Sequence, residues 1–73
     1  MTERETLIKI QDNGEILVLL DGRRLRVRPG DFPKSRSWLP MEELEISDDS
    51  SDPMFTVKIR NIEEREEILA MWG

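Results

Sequence analysis

Reactive side chains in this 73-residue protein must be sought among its charged residues, because it contains no His and no Cys. Their absence removes imidazole acid–base catalysis, thiol nucleophiles, disulfides and thiolate or imidazole metal sites. Two carboxylate runs and one arginine cluster remain. Glu63, Glu64, Glu66 and Glu67 are numerous enough for a two-acid hydrolase, but such a site needs a cleft that raises one pKa by burial. Contiguous charges on an exposed turn supply no such cleft. Asp48, Asp49 and Asp52 lack the alternating ligands, central glycine and closing glutamate of a calcium loop, and they read as part of a solvated acidic linker. The glycines at 14, 22, 30 and 73 are scattered and build no phosphate-cradling loop. The chain therefore reads as a non-enzyme, with no catalytic residue, no cofactor and no metal site.

The arginine cluster is the sharpest feature. Residues 22–36 hold six basic side chains (Arg23, Arg24, Arg26, Arg28, Lys34 and Arg36) against one acidic, Asp31, a net of +5. The other 58 residues carry five basic and 15 acidic side chains, a net of −10, within a total of −5. Such segregation makes a dipolar surface that can orient an anionic partner. One reading pairs these arginines across strands with Glu15, Glu43 or Glu45, guarding a strand edge. The other sets Arg24, Arg26, Arg28, Lys34 and Arg36 against phosphates or acidic protein groups. Single-stranded nucleic acid also asks for interleaved aromatics, and only Phe32 and Trp38 lie near. The negative total and a pI near 4.7 oppose a polyanion. Trp38-Leu39-Pro40 either anchors an extended peptide in a groove or plugs one end of a small core, where burial is worth about 2–3 kcal/mol. Trp72 either closes the domain or meets a partner. The candidate partner-binding residues are thus Arg24, Arg26, Arg28, Phe32, Lys34, Arg36 and Trp38.

These side chains need elements to hold them. Residues 6–11 alternate, with Leu7, Lys9 and Gln11 on one face and Thr6, Ile8 and Ile10 on the other, and read as a strand. Asp12-Asn13-Gly14 turns the chain, Gly14 tolerating a positive φ. Residues 15–20 form a second strand, apolar on both faces and so placed centrally. Asp21-Gly22 predicts a type I′ turn. Residues 23–28 form a third strand, Leu25 and Val27 inward and Arg24, Arg26 and Arg28 outward. Pro29 and Pro33 then break pairing. The stretch to Pro40 reads as a loop without regular structure, packed through Phe32 and Trp38. Residues 41–47 form a fourth strand with Leu44 and Ile46 inward. After the linker, residues 54–60 form a fifth, with Phe55, Val57 and Ile59 on one face. Residues 62–72 support two readings. An Asn61 cap with Glu64 three residues on and good helix formers favour a helix. Closing a barrel edge favours a turn at 63–65 and a strand over 67–72. Strand is the reading taken, with helix as its alternative.

Asp21-Gly22, Val27-Arg28-Pro29-Gly30-Asp31 and Trp38-Leu39-Pro40 before an acidic strand carry a resemblance. The chain resembles a group of small, functionally uncharacterised prokaryotic proteins with a D-G hairpin, then V-x-P-x-D, then W-L-P. The similarity covers residues 8–70 and implies an SH3-like β-barrel ending in a hairpin. It implies no activity, and the extra arginines of the third strand and the helix formers near the end depart from the pattern. The expected fold is all-β, a small SH3-like barrel of five or six short antiparallel strands in one domain over 1–73. Its alternative is a β-meander with a helix at 62–72. The charged start, Met1-Thr2-Glu3-Arg4-Glu5, leads to no signal-type apolar core, and the longest apolar run is Ile16-Leu17-Val18-Leu19-Leu20. That run is far short of the ~20 residues needed to span a bilayer. With no cysteine, the expected location is cytoplasmic, without a membrane partner. The expected function is a non-catalytic protein- or peptide-interaction module acting through the 29–40 loop and its neighbouring strand. Accessory nucleic-acid binding through residues 23–36 is the alternative, and so small a core is compatible with a homodimer.

Overall fold

Alternation of apolar and polar side chains decides the architecture, since each strand can then turn one face to a core and the other to water. The computed structural model describes residues 2–73; Met1, part of the charged N-terminal segment, lies outside the described residues. The elements are β1 (Glu3–Gln11), β2 (Ile16–Leu19), β3 (Arg24–Val27), α1 (Phe32–Ser35), β4 (Glu43–Asp48), β5 (Val57–Asn61) and β6 (Glu66–Trp72). All pairings are antiparallel and close a barrel in the order β1-β2-β3-β6-β5-β4, with β4 returning to β1. The fold is a small all-β, SH3-like barrel of six strands. Its interior is filled by inward residues of every strand, among them Leu7, Leu17, Leu25, Leu44, Ile59 and Ile68. Closure removes sheet edges, so the expected central place of β2 has no counterpart here. No helix among the described residues is long and apolar enough to cross a membrane.

The C-terminal segment is a strand, and the helical alternative is overturned. β6 pairs with β3 on one side and β5 on the other. Two ladders of backbone hydrogen bonds and the burial of Ile68 and Ala70 outweigh the local helix preference of its residues.

Three local expectations change as well. The β1–β2 register shifts between Leu7 and Lys9, making Ile8 an extra, bulged residue. The bulge changes the phase of the alternation, so Leu7 and Ile10 both turn to the core instead of lying on opposite faces. At Asp21-Gly22 only Gly22 takes a positive φ, +93°. Leu19 N–H donates to Arg23 O and Gly22 N–H to Leu19 O, giving a three-residue connection with glycine in the left-handed position rather than a type I′ turn.

The 29–40 segment is not irregular throughout. Pro29–Asp31 forms a 3-10 turn that leads into α1, a single helical turn. Proline ends a strand ladder because it lacks an N–H, and the same lack costs nothing at a helix start. The segment lies across the barrel end where β1 turns into β2. There Ser35 Oγ donates to Gly14 O (2.7 Å), and Trp38 Nε1 donates to a Glu66 carboxylate oxygen (2.8 Å). Trp38 is 2% exposed and belongs to the core, so the plug reading of Trp38-Leu39-Pro40 holds and the groove reading does not.

Candidate functional site

Barrel closure gives β3 two neighbours, and neither places a carboxylate directly opposite Arg24 or Arg26. Arg24 lies opposite Val18, and Arg26 lies opposite Ile16 on β2 and Met71 on β6. The expected pairing with Glu15, Glu43 or Glu45 therefore fails. Glu45 pairs with Arg4 (3.4 Å), and Glu43 accepts a hydrogen bond from Thr6 Oγ1 (2.8 Å). Among the described residues, Arg24, Arg26 and Glu15 take part in no ion pair. The far side of the barrel is built differently. Arg4, Glu45, Arg60 and Glu67 form one cross-strand row of alternating sign over β1, β4, β5 and β6. Among the described residues, Arg4–Glu45 is the one ion pair within this row and Glu67 reaches Lys58 (3.8 Å) instead, but each charge of the row has an opposite charge across the ladder. The β2–β3–β6 face instead sets unpaired arginines among the half-buried, outward Ile16, Val18 and Met71.

A groove of about 380 Å³ continues that face, lined by Arg26, Pro29, Phe32, Met54, Phe55 and Met71, with Val27 beneath and Glu15 at its rim. Its walls come from β3, the turn before α1, α1 itself, the 49–56 loop and β6. The loop is ordered by its own acids, so the picture of a merely solvated linker needs amending. Asp49 accepts from the backbone N–H and the hydroxyl of Ser51, and Asp52 accepts from Met54 N–H (2.8 Å) and Phe55 N–H (3.0 Å). These bonds hold both aspartate carboxyls below their ordinary range. The fifth strand accordingly starts late: Phe55, expected within it, lies before Val57 and in the groove.

The predicted site residues thus separate. Arg26 and Phe32 meet in the groove, and Arg24 stands next to Arg26 along the outer face of β3. Arg28 is drawn away by the buried Asp31 (3.1 Å), whose carboxylate also accepts from Leu69 N–H (3.0 Å) and so ties the turn to β6. Lys34 donates to Glu67 O (3.4 Å) and, with Arg28, lines a second cleft that also holds Asp49, Lys58 and Glu67. In that cleft three cations face three carboxylates, and the charges balance. Arg36 is exposed near Gly14, away from the groove, and Trp38 is in the core. Met54, Phe55 and Met71 were not foreseen as site residues. Met54 and Met71 are signalled in the sequence only by apolar character off the buried alternation, and Phe55 is there assigned to the buried face of Val57 and Ile59. Trp72, 41% exposed, caps the opposite barrel end, its ring carrying the Arg23 guanidinium at 4.5 Å. Arg23 is itself fixed by Glu3 (2.9 Å) and Asp21 (2.6 Å), and its hydrogen bonds hold both carboxyls below the usual range.

One carboxyl pair escaped the sequence reading because its members are far apart in the chain. Burial pushes the Glu42 carboxyl up, but hydrogen bonds from Leu39 N–H, from Glu64 and from Asn61 outweigh burial and hold it below its ordinary 4.5. The hydrogen bond shared with Glu42, and then that carboxylate's charge, raise Glu64 above the same value. Glu64 therefore stabilises the fold while protonated, and this contribution fades as pH rises through its raised pKa. Glu42 works in the opposite sense, losing its contribution as pH falls through its lowered pKa. Replacing Glu64→Gln should leave the melting temperature near that of the parent at pH 4.5 and above it at about pH 7. Thermal denaturation across that interval checks this, and a difference that does not change with pH would contradict a shared proton.

Comparison with known protein families, with curated proteins and with solved structures finds no match to this chain.

Proposed function

We propose that this protein is a non-catalytic interaction module that recognises a protein or peptide through the outer face of β2, β3 and β6 and the groove beside it. The observation that carries this reading is the contrast between the two sides of the barrel. One side sets each charge opposite one of the other sign, whereas the other exposes Arg24 and Arg26, without ion pairs, opposite Val18, Ile16 and Met71. Apolar side chains there supply free energy when a partner excludes water, and an unpaired guanidinium supplies selectivity without first breaking an internal bond. A closed barrel lends no strand edge, so contact must be made through side chains rather than by strand addition. Nucleic-acid binding by residues 23–36 has less support. Trp38 is buried and the Trp72 ring already carries Arg23, leaving only the half-buried Phe32 and Phe55 near the arginines as stacking platforms.

Photo-crosslinking side chains placed at Met71 and Val18 should yield discrete protein adducts in the source cells. The same side chains at Glu45 and Arg60 should not, and the double change Arg24→Glu, Arg26→Glu should reduce the adducts about tenfold or more. Adducts from both sides alike, or from neither, would refute the reading. Nucleic-acid adducts lost between about 50 and 300 mM salt would favour the phosphate alternative.

A further inference from the structure

Resting on that reading, the groove's chemistry defines the partner more closely. We propose that it takes one bulky apolar side chain from a segment that is acidic on the side of this anchor nearest Arg24 and Arg26.

Size is the first argument. A volume of about 380 Å³ lies near the lower end of the ~300–1,000 Å³ typical of ligand clefts, enough for an aromatic or branched aliphatic anchor. Composition is the second. Pro29, Phe32, Met54, Phe55 and Met71 present an apolar wall, and the two methionines can adapt to different anchor shapes. The wall is also preformed, because Phe32 packs on the core and Asp52 fixes the backbone of Met54 and Phe55. An anchor therefore pays little ordering cost on the protein side.

Charge chooses the flanking residues. Arg26 lines the groove and Arg24 follows it along β3, both without ion pairs, so a basic flank would meet uncompensated repulsion. Glu15 is the only acid in the lining, and it repels acidic groups from its own rim. The acidic residues of the partner must therefore lie toward Arg24 and Arg26. The protein's total of −5 does not forbid this. At physiological salt, charges farther than about 8 Å are screened, and the local arginines dominate.

Fluorescence anisotropy with three labelled peptides of equal length tests the proposal on the full chain. The first carries Phe with Asp and Glu on one side, the second has Lys in place of those acids, and the third keeps the acids with Ala in place of Phe. The first should bind about tenfold or more tightly than either of the others, and Arg26→Glu and Met54→Lys should each weaken it about tenfold. Arg26 and Met54 are exposed, so both variants should keep the far-UV circular dichroism of the parent. Equal binding of the Lys peptide, no binding of the first peptide, or binding that neither variant changes would overturn the proposal. So would tighter binding of a single-stranded oligonucleotide of the same net charge. Crosslinks from Met71 in the absence of any peptide binding would reject the acidic anchor yet leave the interaction face standing. Loss of both would reject the face as well.

Discussion

Gly14→Ala should lower the melting temperature by about 12 °C or more, the effect of losing about 3 kcal/mol in a domain of this size. Gly14 is buried at the β1–β2 turn with φ +98°, where an L side chain is strained. Such strain alone costs about 1–3 kcal/mol. A Cβ there would also stand 2.7 Å from both the Arg36 backbone N and Ser35 Oγ, too close for either to remain. Relief requires lifting the end of α1, which breaks the Ser35–Gly14 hydrogen bond and disturbs Trp38 three residues on. Overpacking of this kind adds about 1–3 kcal/mol. Gly22→Ala is the matched control. Its φ of +93° carries the same backbone strain, but nothing lies within 4 Å of the new methyl, so its cost should stay near about 1 kcal/mol. Thermal and urea denaturation of the two variants would separate strain from collision. Equal losses would show that the close approach of α1 to the turn contributes nothing.

Trp38→Ala should abolish the cooperative thermal transition altogether. Truncating a buried tryptophan costs about 3–5 kcal/mol, and a single domain has only about 5–15 kcal/mol in all. Trp38 joins the core from the segment that spans the barrel end, and its Nε1–H reaches Glu66 at the start of β6. Removing it opens that end to water and releases α1 from β6. Trp38→Phe should keep the fold at a cost of about 1–2 kcal/mol, mostly the lost hydrogen bond and some packing. Near-UV circular dichroism and chemical denaturation would show both effects. Trp38→Phe should also leave peptide binding in the groove unchanged, because Trp38 does not line it. A Trp38→Ala protein of parental stability that had lost only binding would make this residue a contact, contrary to its place in the core.

The groove shows which parts of such a site a sequence can declare. Arg24 and Arg26 were legible as outward residues because Leu25 and Val27 alternate with them and bury. Their lack of ion pairs was not legible, since pairing depends on which strands flank β3. Glu15, Glu43 and Glu45 are plausible partners in a flat meander. In the closed barrel β3 lies between β2 and β6, which offer Ile16, Val18 and Met71 instead. Met54 and Phe55 reach the groove only because two aspartates shape the loop before β5. Glu42 and Glu64 met by the same route, through a turn whose position follows from barrel closure.

What the amino-acid order determined by itself was local: where each strand runs, which of its faces is apolar, and where glycine and proline interrupt it. These follow from sterics and solvation acting within a few residues. Tertiary structure decided the rest: strand rather than helix at Glu66–Trp72, helix rather than loop at Phe32–Ser35, Trp38 inside, and the arginines without partners. Each of those outcomes depends on backbone groups or side chains brought from distant positions. Their free energies outweigh local preferences that amount to less than about 1 kcal/mol per residue.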